Sequence, residues 1–148
     1  MAESGTIRRT YPWKTTINGT EVTFRLMTPA DEAEITRFAK SLPEEDLMFL
    51  RSDITQAPAV KAWMAYLKNG RTISIAAEID GHIAGYSTIH MNEATWTRHV
   101  GELRVLVGRD HRGLGLGTRL TNEAFAMAKD LGLRKVTVAN DFIQSATG

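Results

Sequence analysis

Apolar residues in several stretches of the chain either alternate with polar ones or form short runs, and both patterns are typical of β-strands. Two of these stretches are joined by Asn18-Gly19 and another two by Asp80-Gly81, pairs that favour tight hairpin turns. Strands are predicted at residues 13–17, 21–27, 72–79, 83–91, 101–107 and 135–139.

Three other stretches repeat their apolar residues every three or four positions, which predicts helices with one buried face. These helices are expected at about residues 31–40, 59–67 and 115–131. Glycine follows the second and third of them, at Gly70 and Gly132, where a helix commonly ends. The last helix is the most regular, and its predicted apolar face consists of Leu116, Leu120, Ala124, Met127 and Leu131, widened by Phe125 and Ala128.

The order of these elements predicts an α/β (α+β) fold. The early strands are joined by hairpins and are therefore antiparallel, whereas the last helix is long enough to connect two parallel strands. We expect a mixed, mostly antiparallel sheet with helices on both faces. The length of 148 residues fits a flexible N-terminal segment, residues 1–10, followed by a single domain over residues 11–148.

Composition removes several classes of function. Lys and Arg number 18 against 17 Asp and Glu, and a net charge of +1 gives no support for a nucleic-acid or membrane-surface partner. The absence of cysteine excludes disulfides, thiolate metal sites and cysteine nucleophiles. The four histidines lack the spacing of metal ligands, so no metal is expected. No stretch reads as a signal peptide or a membrane span, and we expect a cytoplasmic protein.

The segment from Arg112 to Thr118 is the main candidate for chemistry, because three glycines alternate there between a predicted strand and a predicted helix. Glycines let the backbone approach a ligand closely, and a helix N-terminus offers N–H groups to an anion, so the segment predicts a phosphate-type site. A Walker-type loop is disfavoured because it needs lysine directly after its last glycine, and here Gly117 is followed by Thr118 and Arg119. A dinucleotide fingerprint is disfavoured because the third glycine is displaced and the loop follows antiparallel strands.

The same segment, Arg112-Gly113-Leu114-Gly115-Leu116-Gly117, fits a third pattern, Arg/Gln-x-x-Gly-x-Gly/Ala. Together with the preceding strand from Glu102, it closely resembles the acyl-CoA signature of the GNAT superfamily of N-acyltransferases. The resemblance extends to Thr28-Pro29-Ala30-Asp31 before the first helix and to Ile83-Ala84-Gly85-Tyr86 after the second hairpin turn. It implies a GNAT-like fold with acetyl-CoA as cosubstrate. The implied reaction moves the acetyl group to a primary amine, of a small molecule or of a protein lysine or N-terminus, by direct attack in a ternary complex.

The resemblance also implies roles for individual residues. Backbone N–H groups of the loop would hold the CoA pyrophosphate, and the edge of the preceding strand would hold the pantetheine arm. The implied cofactor-binding residues are Leu106, Val107, Arg112, Gly113, Leu114, Gly115, Leu116, Gly117 and Thr118. Glu102 is the expected catalytic base, acting through water, unless it only pairs with Arg104; His99 and His90 are rival bases. Phe49, Trp96, Arg98 and His99 are expected on the acceptor side.

The C-terminal stretch departs from the family pattern. GNAT domains normally continue after the last predicted strand with a helix, often carrying a tyrosine that protonates the leaving thiolate, and then further strands; here only residues 140–148 follow. The departure predicts a domain without its C-terminal part, no assigned general acid, and an exposed strand edge able to pair with a second copy in a homodimer. The alternative function is a CoA-binding module without turnover. A nucleotide-binding protein of another fold is a third interpretation, which the missing lysine disfavours.

Overall fold

The computed structural model describes residues 10–42, 54, 56–91 and 99–138. The strands within them are β1 (Trp13–Ile17), β2 (Thr20–Leu26), β3 (Thr72–Ile79), β4 (His82–His90), β5 (Val100–Val107) and β6 (Lys135–Val138). The helices are α1 (Glu32–Lys40), α2 (Ala57–Asn69) and α3 (Leu116–Asp130), with 3-10 turns at Pro29–Asp31 and Arg109–His111. The predicted N-terminal segment up to residue 9 and the predicted tail after β6 lie outside the described residues.

The strands form a six-stranded sheet in the order β1-β2-β3-β4-β5-β6. Every neighbouring pair is antiparallel except β5 and β6, which are parallel and joined through α3, as predicted. Both predicted hairpin turns are confirmed, because φ is 49° and 83° at Asn18-Gly19 and 54° and 81° at Asp80-Gly81. Two successive positive φ values are the backbone geometry of type I′ turns, whose twist matches that of the flanking strands.

Helices cover both faces of the sheet, which confirms the predicted fold class. The helix side chains in the two buried clusters are Ile35, Phe38, Ala39, Val60 and Met64 from α1 and α2 on one face, and Leu116, Leu120, Ala124 and Ala128 from α3 on the other. Phe125 was expected to widen the apolar face of α3, but its side chain is 45% exposed. The reason is geometric: Phe125 lies about 100° around the helix from Ala124, beyond the reach of the sheet surface.

An ion-pair network fixes the entry to α1. The Asp31 carboxylate accepts hydrogen bonds from Arg25 at 2.8 and 2.9 Å and from the Thr28 backbone N–H at 2.8 Å. Arg25 also donates from Nε to Glu78 on β3 at 2.7 Å. Burial acts to raise the pKa of Asp31, but the hydrogen bonds from Arg25 and Thr28 outweigh it and hold the pKa below its ordinary value. The network therefore joins β2, β3 and the start of α1.

A buried carboxylate ties α3 to the first strand. Glu123 is 2% exposed and accepts hydrogen bonds from the Tyr11 hydroxyl at 2.8 Å and the Trp13 indole N–H at 3.1 Å. Trp13 in turn stacks on Phe24 of β2, with ring centroids 5.0 Å apart. The helix that follows the glycine loop is thus held by the N-terminal hairpin as well as by β4 and β5.

Candidate functional site

The glycine loop connects the end of β5 to the start of α3. After the Arg109–His111 turn, the chain is extended at Arg112, and φ is 91° at Gly113 and 80° at Gly115. Gly115 is the N-cap of α3 and has no side chain to cap the first turn, so the N–H groups of that turn face outward from the helix end. A Cβ atom placed at either glycine would meet nothing within 4 Å. The loop is therefore a left-handed backbone path with space beside it.

Most predicted cofactor-binding residues of the loop can offer backbone groups, because their side chains point elsewhere. Leu116 is fully buried in the α3-side cluster, and Leu114 packs against the same cluster. Gly117 is buried, whereas Thr118 is exposed in the first turn of α3. This arrangement suits a ligand bound through main-chain N–H groups, with Thr118 as the one added side-chain donor.

The Arg112 side chain turns back onto the strand. Its Nε and Nη2 donate to the Val107 carbonyl oxygen at 3.2 and 3.1 Å. Two donors of one guanidinium fork on a single oxygen fix the end of β5 relative to the loop. The sequence indicated an arginine at the entrance of an anion site, and the structure adds this contact with the strand end.

The two ladders of β5 cover different parts of the strand. On one side β4 pairs with it from Glu102 to Val107. On the other side the described part of β6 pairs with it only from Val100 to Leu103. The second half of β5, which leads into the glycine loop, therefore extends past the described end of β6.

Glu102 and Arg104 lie side by side on the α2-facing side of β5. Arg104 Nη2 donates to Glu102 Oε1 at 3.0 Å, and their side chains are 23% and 26% exposed for Glu102 and Arg104 respectively. The same face of β5 carries Leu106, which is buried with α1 and α2. The predicted pairing of Glu102 with Arg104 is present, and it leaves the carboxylate in partial contact with solvent.

A cavity of about 200 Å³ lies next to this ion pair, between α2 and the sheet. The side chains that define its character are Trp63 and Tyr66 from α2, and Tyr86, Thr88, His90 and Arg104 from β4 and β5. Trp63 is half-buried, donates from Nε1 to the Ser74 hydroxyl at 2.9 Å, and forms part of the cavity wall. Among the described residues, the aromatic surface and the Arg104 cation make this cavity suitable for a small organic molecule.

His90 is held in place within the cavity wall. Its Nδ1 is hydrogen-bonded to the Thr72 hydroxyl at 2.6 Å, and its ring meets Tyr66 edge-on with centroids 4.9 Å apart. Burial lowers the pKa of His90, the positive charges of Arg104 and Arg71 lower it further, and Glu102 opposes them. The lowered pKa of His90 favours its neutral imidazole form.

Of the predicted acceptor-side residues only His99 is described, and it does not line this cavity. His99 is exposed at the start of β5 with φ 57°, and its carbonyl accepts hydrogen bonds from the backbone of Arg134 and Lys135. Phe49, Trp96 and Arg98 lie outside the described residues. Among the residues that are described, no three His, Asp or Glu side chains are close enough to hold a metal ion. None of the helices in that part of the chain has the length and apolar character required to cross a bilayer.

The cavity residues were mostly missed by the sequence analysis. Their signal was present as polar residues at alternate positions of central strands, Thr88 and His90 on β4 and Glu102 and Arg104 on β5. In a sheet covered on both faces, such positions are normally apolar. Register pairs His90 with Glu102 and Thr88 with Arg104, which gathers the four side chains into one polar patch.

Solved structures of other proteins share this fold. The GNAT domain of S. lividans PAT is 18% identical, with a TM-score of 0.74 over 86% of this chain and 77% of that one. A predicted acetyltransferase with acetyl-CoA from Clostridium acetobutylicum is 15% identical, with a TM-score of 0.61 over 80% of both chains. A ribosomal-protein-alanine N-acetyltransferase from Brucella melitensis biovar Abortus 2308 is 19% identical, with a TM-score of 0.59 over 80% of this chain and 79% of that one.

The family model described as "Acetyltransferase (GNAT) family" matches residues 34–145, about three quarters of the chain. The match includes α2, the central strands, the glycine loop and α3, which are the elements that build the loop and the cavity. The resemblance found in the loop sequence is thereby confirmed, and the chain belongs to the GNAT acetyltransferase family.

Proposed function

We propose that this protein transfers an acetyl group from acetyl-CoA to a primary amine by direct attack of the amine in a ternary complex. The observation that carries the proposal is the glycine loop: an outward-facing helix N-terminus preceded by two left-handed glycines, with space beside it. Support for the acetyl donor comes from the family match and from the Clostridium acetobutylicum structure, which was determined with acetyl-CoA.

The proposed cofactor contacts follow from the backbone. The N–H groups from Arg112 to Thr118 surround the pyrophosphate, whose negative charge the positive end of the α3 dipole stabilises. The pantetheine arm extends along β5 beside Leu106 and Val107, where the strand continues past the described part of β6. The Arg112 contact with the Val107 carbonyl keeps these two parts of the cofactor site in register.

The chemistry needs a base but no covalent intermediate. The amine nitrogen attacks the thioester carbonyl carbon, the C–S bond breaks, and CoA leaves as a thiolate that takes up a proton. Glu102 is the proposed base and takes the amine proton through a water molecule. Glu102 is partly exposed and contacts Arg104, which lines the cavity. The chain has no cysteine, which agrees with direct transfer rather than an acyl-enzyme.

The acceptor is proposed to enter from the side of α2. The cavity lined by Trp63, Tyr66 and His90 lies on the same face of the sheet as Glu102 and Leu106. Phe49, Trp96, Arg98 and His99 remain proposed acceptor-side residues. An amine bound there would approach the end of β5, where the thioester is proposed to lie.

A two-step experiment tests the proposal. Calorimetry measures binding of acetyl-CoA to the full chain, and a thiol assay then measures CoA release with a panel of primary amines. Glu102→Gln is expected to lower kcat by about 10²- to 10⁴-fold while acetyl-CoA affinity is kept. Glu21→Gln, an exposed glutamate on β2, is the matched control and should not change kcat.

The outcomes separate the functional alternatives. Binding of acetyl-CoA with no turnover of any amine would support the CoA-binding module and refute the enzyme. Absence of acetyl-CoA binding by a folded chain would refute the assignment of the glycine loop. Turnover that Glu102→Gln leaves unchanged would limit Glu102 to its ion pair with Arg104.

A further inference from the structure

The walls of the cavity differ in chemistry. Trp63 and Tyr66 of α2 give aromatic surface, and Thr88, His90 and Arg104 of the sheet give polar groups. Its volume is about 200 Å³. A cavity of this size admits a compact molecule with one apolar and one polar end.

Arg104 is the cation among the described residues that line the cavity, and one of its buried N–H donors has no partner. Within the described residues it makes one hydrogen bond, from Nη2 to Glu102, and its Nε is buried without a partner. A guanidinium carries five N–H donors, and leaving buried donors unpaired is unfavourable. A ligand that brings an acceptor group to this guanidinium is therefore favoured. A carboxylate fits best, because its two oxygens match the planar fork of the arginine.

The charges around the cavity also favour a ligand that carries a carboxylate. The described charged groups that act on His90 are Arg104, Arg71 and Glu102, two positive and one negative. Burial and these cations lower the pKa of His90, which means that added positive charge is disfavoured there. A polyamine would bring several ammonium groups into the same field. An amine that also carries a carboxylate brings no net positive charge.

We propose that the acceptor is a small amino carboxylate with an apolar side group, such as an apolar or aromatic amino acid, and that Arg104 pairs with its carboxylate. The apolar side group then lies against Trp63 and Tyr66. Arg104 and Leu106 are alternate residues on one face of β5, about 7 Å apart along the strand, so one small molecule spans from the guanidinium to the thioester end. This proposal rests on the proposed function and specifies the substrate class of the same site.

Matched acceptors that differ only in the carboxylate provide the test. L-Phenylalanine is compared with 2-phenylethylamine, and L-leucine with 3-methylbutylamine, with spermidine as a cationic amine. The full chain is assayed for CoA release at saturating acetyl-CoA, and binding of each amine to the CoA-loaded chain is measured by calorimetry. Each amino acid is expected to exceed its decarboxylated partner at least about tenfold in kcat/KM, or in affinity where turnover is absent.

Three arginine variants test whether Arg104 is the source of the preference for amino acids. Arg104→Gln is expected to lower the ratio of kcat/KM for L-phenylalanine to that for 2-phenylethylamine to near unity; the ratio within the one variant cancels any effect that the loss of the Glu102 contact has on both amines. Arg134→Gln, an exposed arginine between α3 and β6, is the matched control and should keep the preference. Arg104→Lys retains the charge without the planar fork and should keep part of the preference. Thermal unfolding of each variant verifies that it is folded.

The outcomes that would refute the proposed acceptor differ from the outcome that would refute the proposed function. Equal or better use of 2-phenylethylamine or spermidine by the unmodified chain would overturn it while leaving acetyl transfer intact. A preference for amino acids that survives in Arg104→Gln would also overturn it. Absence of binding by both members of each pair would overturn it even where acetyl-CoA binds. Absence of acetyl-CoA binding, in contrast, would refute the proposed function itself.

Discussion

Replacing Gly115 with glutamate should separate a cofactor site from a purely structural turn. Gly115 has φ 80°, and a Cβ there meets nothing within 4 Å, so steric contact with the protein contributes little. The left-handed backbone costs a residue with a side chain about 1–2 kcal/mol of stability. The new carboxylate would stand at the N-terminus of α3, where the CoA pyrophosphate is proposed to bind.

The expected loss of affinity follows from the added charge. Two like charges about 4 Å apart repel by about 1 kcal/mol in a water-like medium and by about 4 kcal/mol at an effective dielectric constant near 20. Since 1.4 kcal/mol is tenfold in affinity, the acetyl-CoA Kd should rise between about fivefold and about a thousandfold. Calorimetric titration of the full chain with acetyl-CoA measures this change.

Gly132 provides a matched control at the opposite end of the same helix. It has φ 75° and equally empty surroundings, so Gly132→Glu introduces the same charge and similar backbone strain far from the loop. Both variants should unfold at lower temperature than the parent chain, but only Gly115→Glu should lose acetyl-CoA. Equal affinity of the two variants would refute the idea that the loop binds the pyrophosphate.

Further predictions concern the scaffold of the site. Gly85→Ala places a Cβ 2.9 Å from the Leu106 carbonyl oxygen, so it should lower stability by about 1–3 kcal/mol in denaturant unfolding and weaken acetyl-CoA binding; an unchanged unfolding midpoint would contradict this. Arg112→Gln removes the fork from the Val107 carbonyl and should raise the acetyl-CoA Kd more than Arg119→Gln does in parallel titrations. The pKa of Glu34 is lowered to about 2, chiefly by hydrogen bonds from Arg37 and also by one from the Ile83 N–H. These outweigh burial, which acts to raise the pKa. The stability that Glu34 contributes is complete above its ordinary pKa of 4.5 and is lost as pH falls toward 2, so Glu34→Gln should flatten the acid-unfolding profile in that window only.

The sequence predicted best those elements whose conformation is set by the residue types at the element itself. Asn18-Gly19 and Asp80-Gly81 adopt positive φ at both residues because these residue types tolerate it, and the hairpins follow. The glycine loop was recognised for the same reason, since alternating glycines between a strand and a helix leave few other conformations. The start of α2 was placed two residues late, because Pro58 suits the first turn of a helix and does not mark its outside.

The cavity could not be predicted because it depends on strand register and helix placement. Arg104 and His90 meet because β4 and β5 pair in one particular register, and no local pattern encodes that register. The helical spacing of Trp63 is compatible with a place in the core or in a cavity wall. Its position is decided only by the contacts of α2 with Ser74 and Tyr86. Substrate selection therefore rests on nonlocal contacts, whereas cofactor recognition rests on a local one.

The hydrogen bonds that Glu123 accepts from Tyr11 and Trp13 affect the order in which the protein folds during synthesis. Its two hydrogen bonds join residues 112 and 110 positions apart, to Tyr11 and Trp13 respectively. At about 5–20 residues per second, the ribosome needs roughly 5 to 20 seconds to supply the carboxylate after the hairpin emerges. During this time the side chains of Tyr11 and Trp13 lack their hydrogen-bond acceptor. Nascent chains that end before Glu123 should therefore be cleaved by protease in the N-terminal hairpin sooner than complete chains.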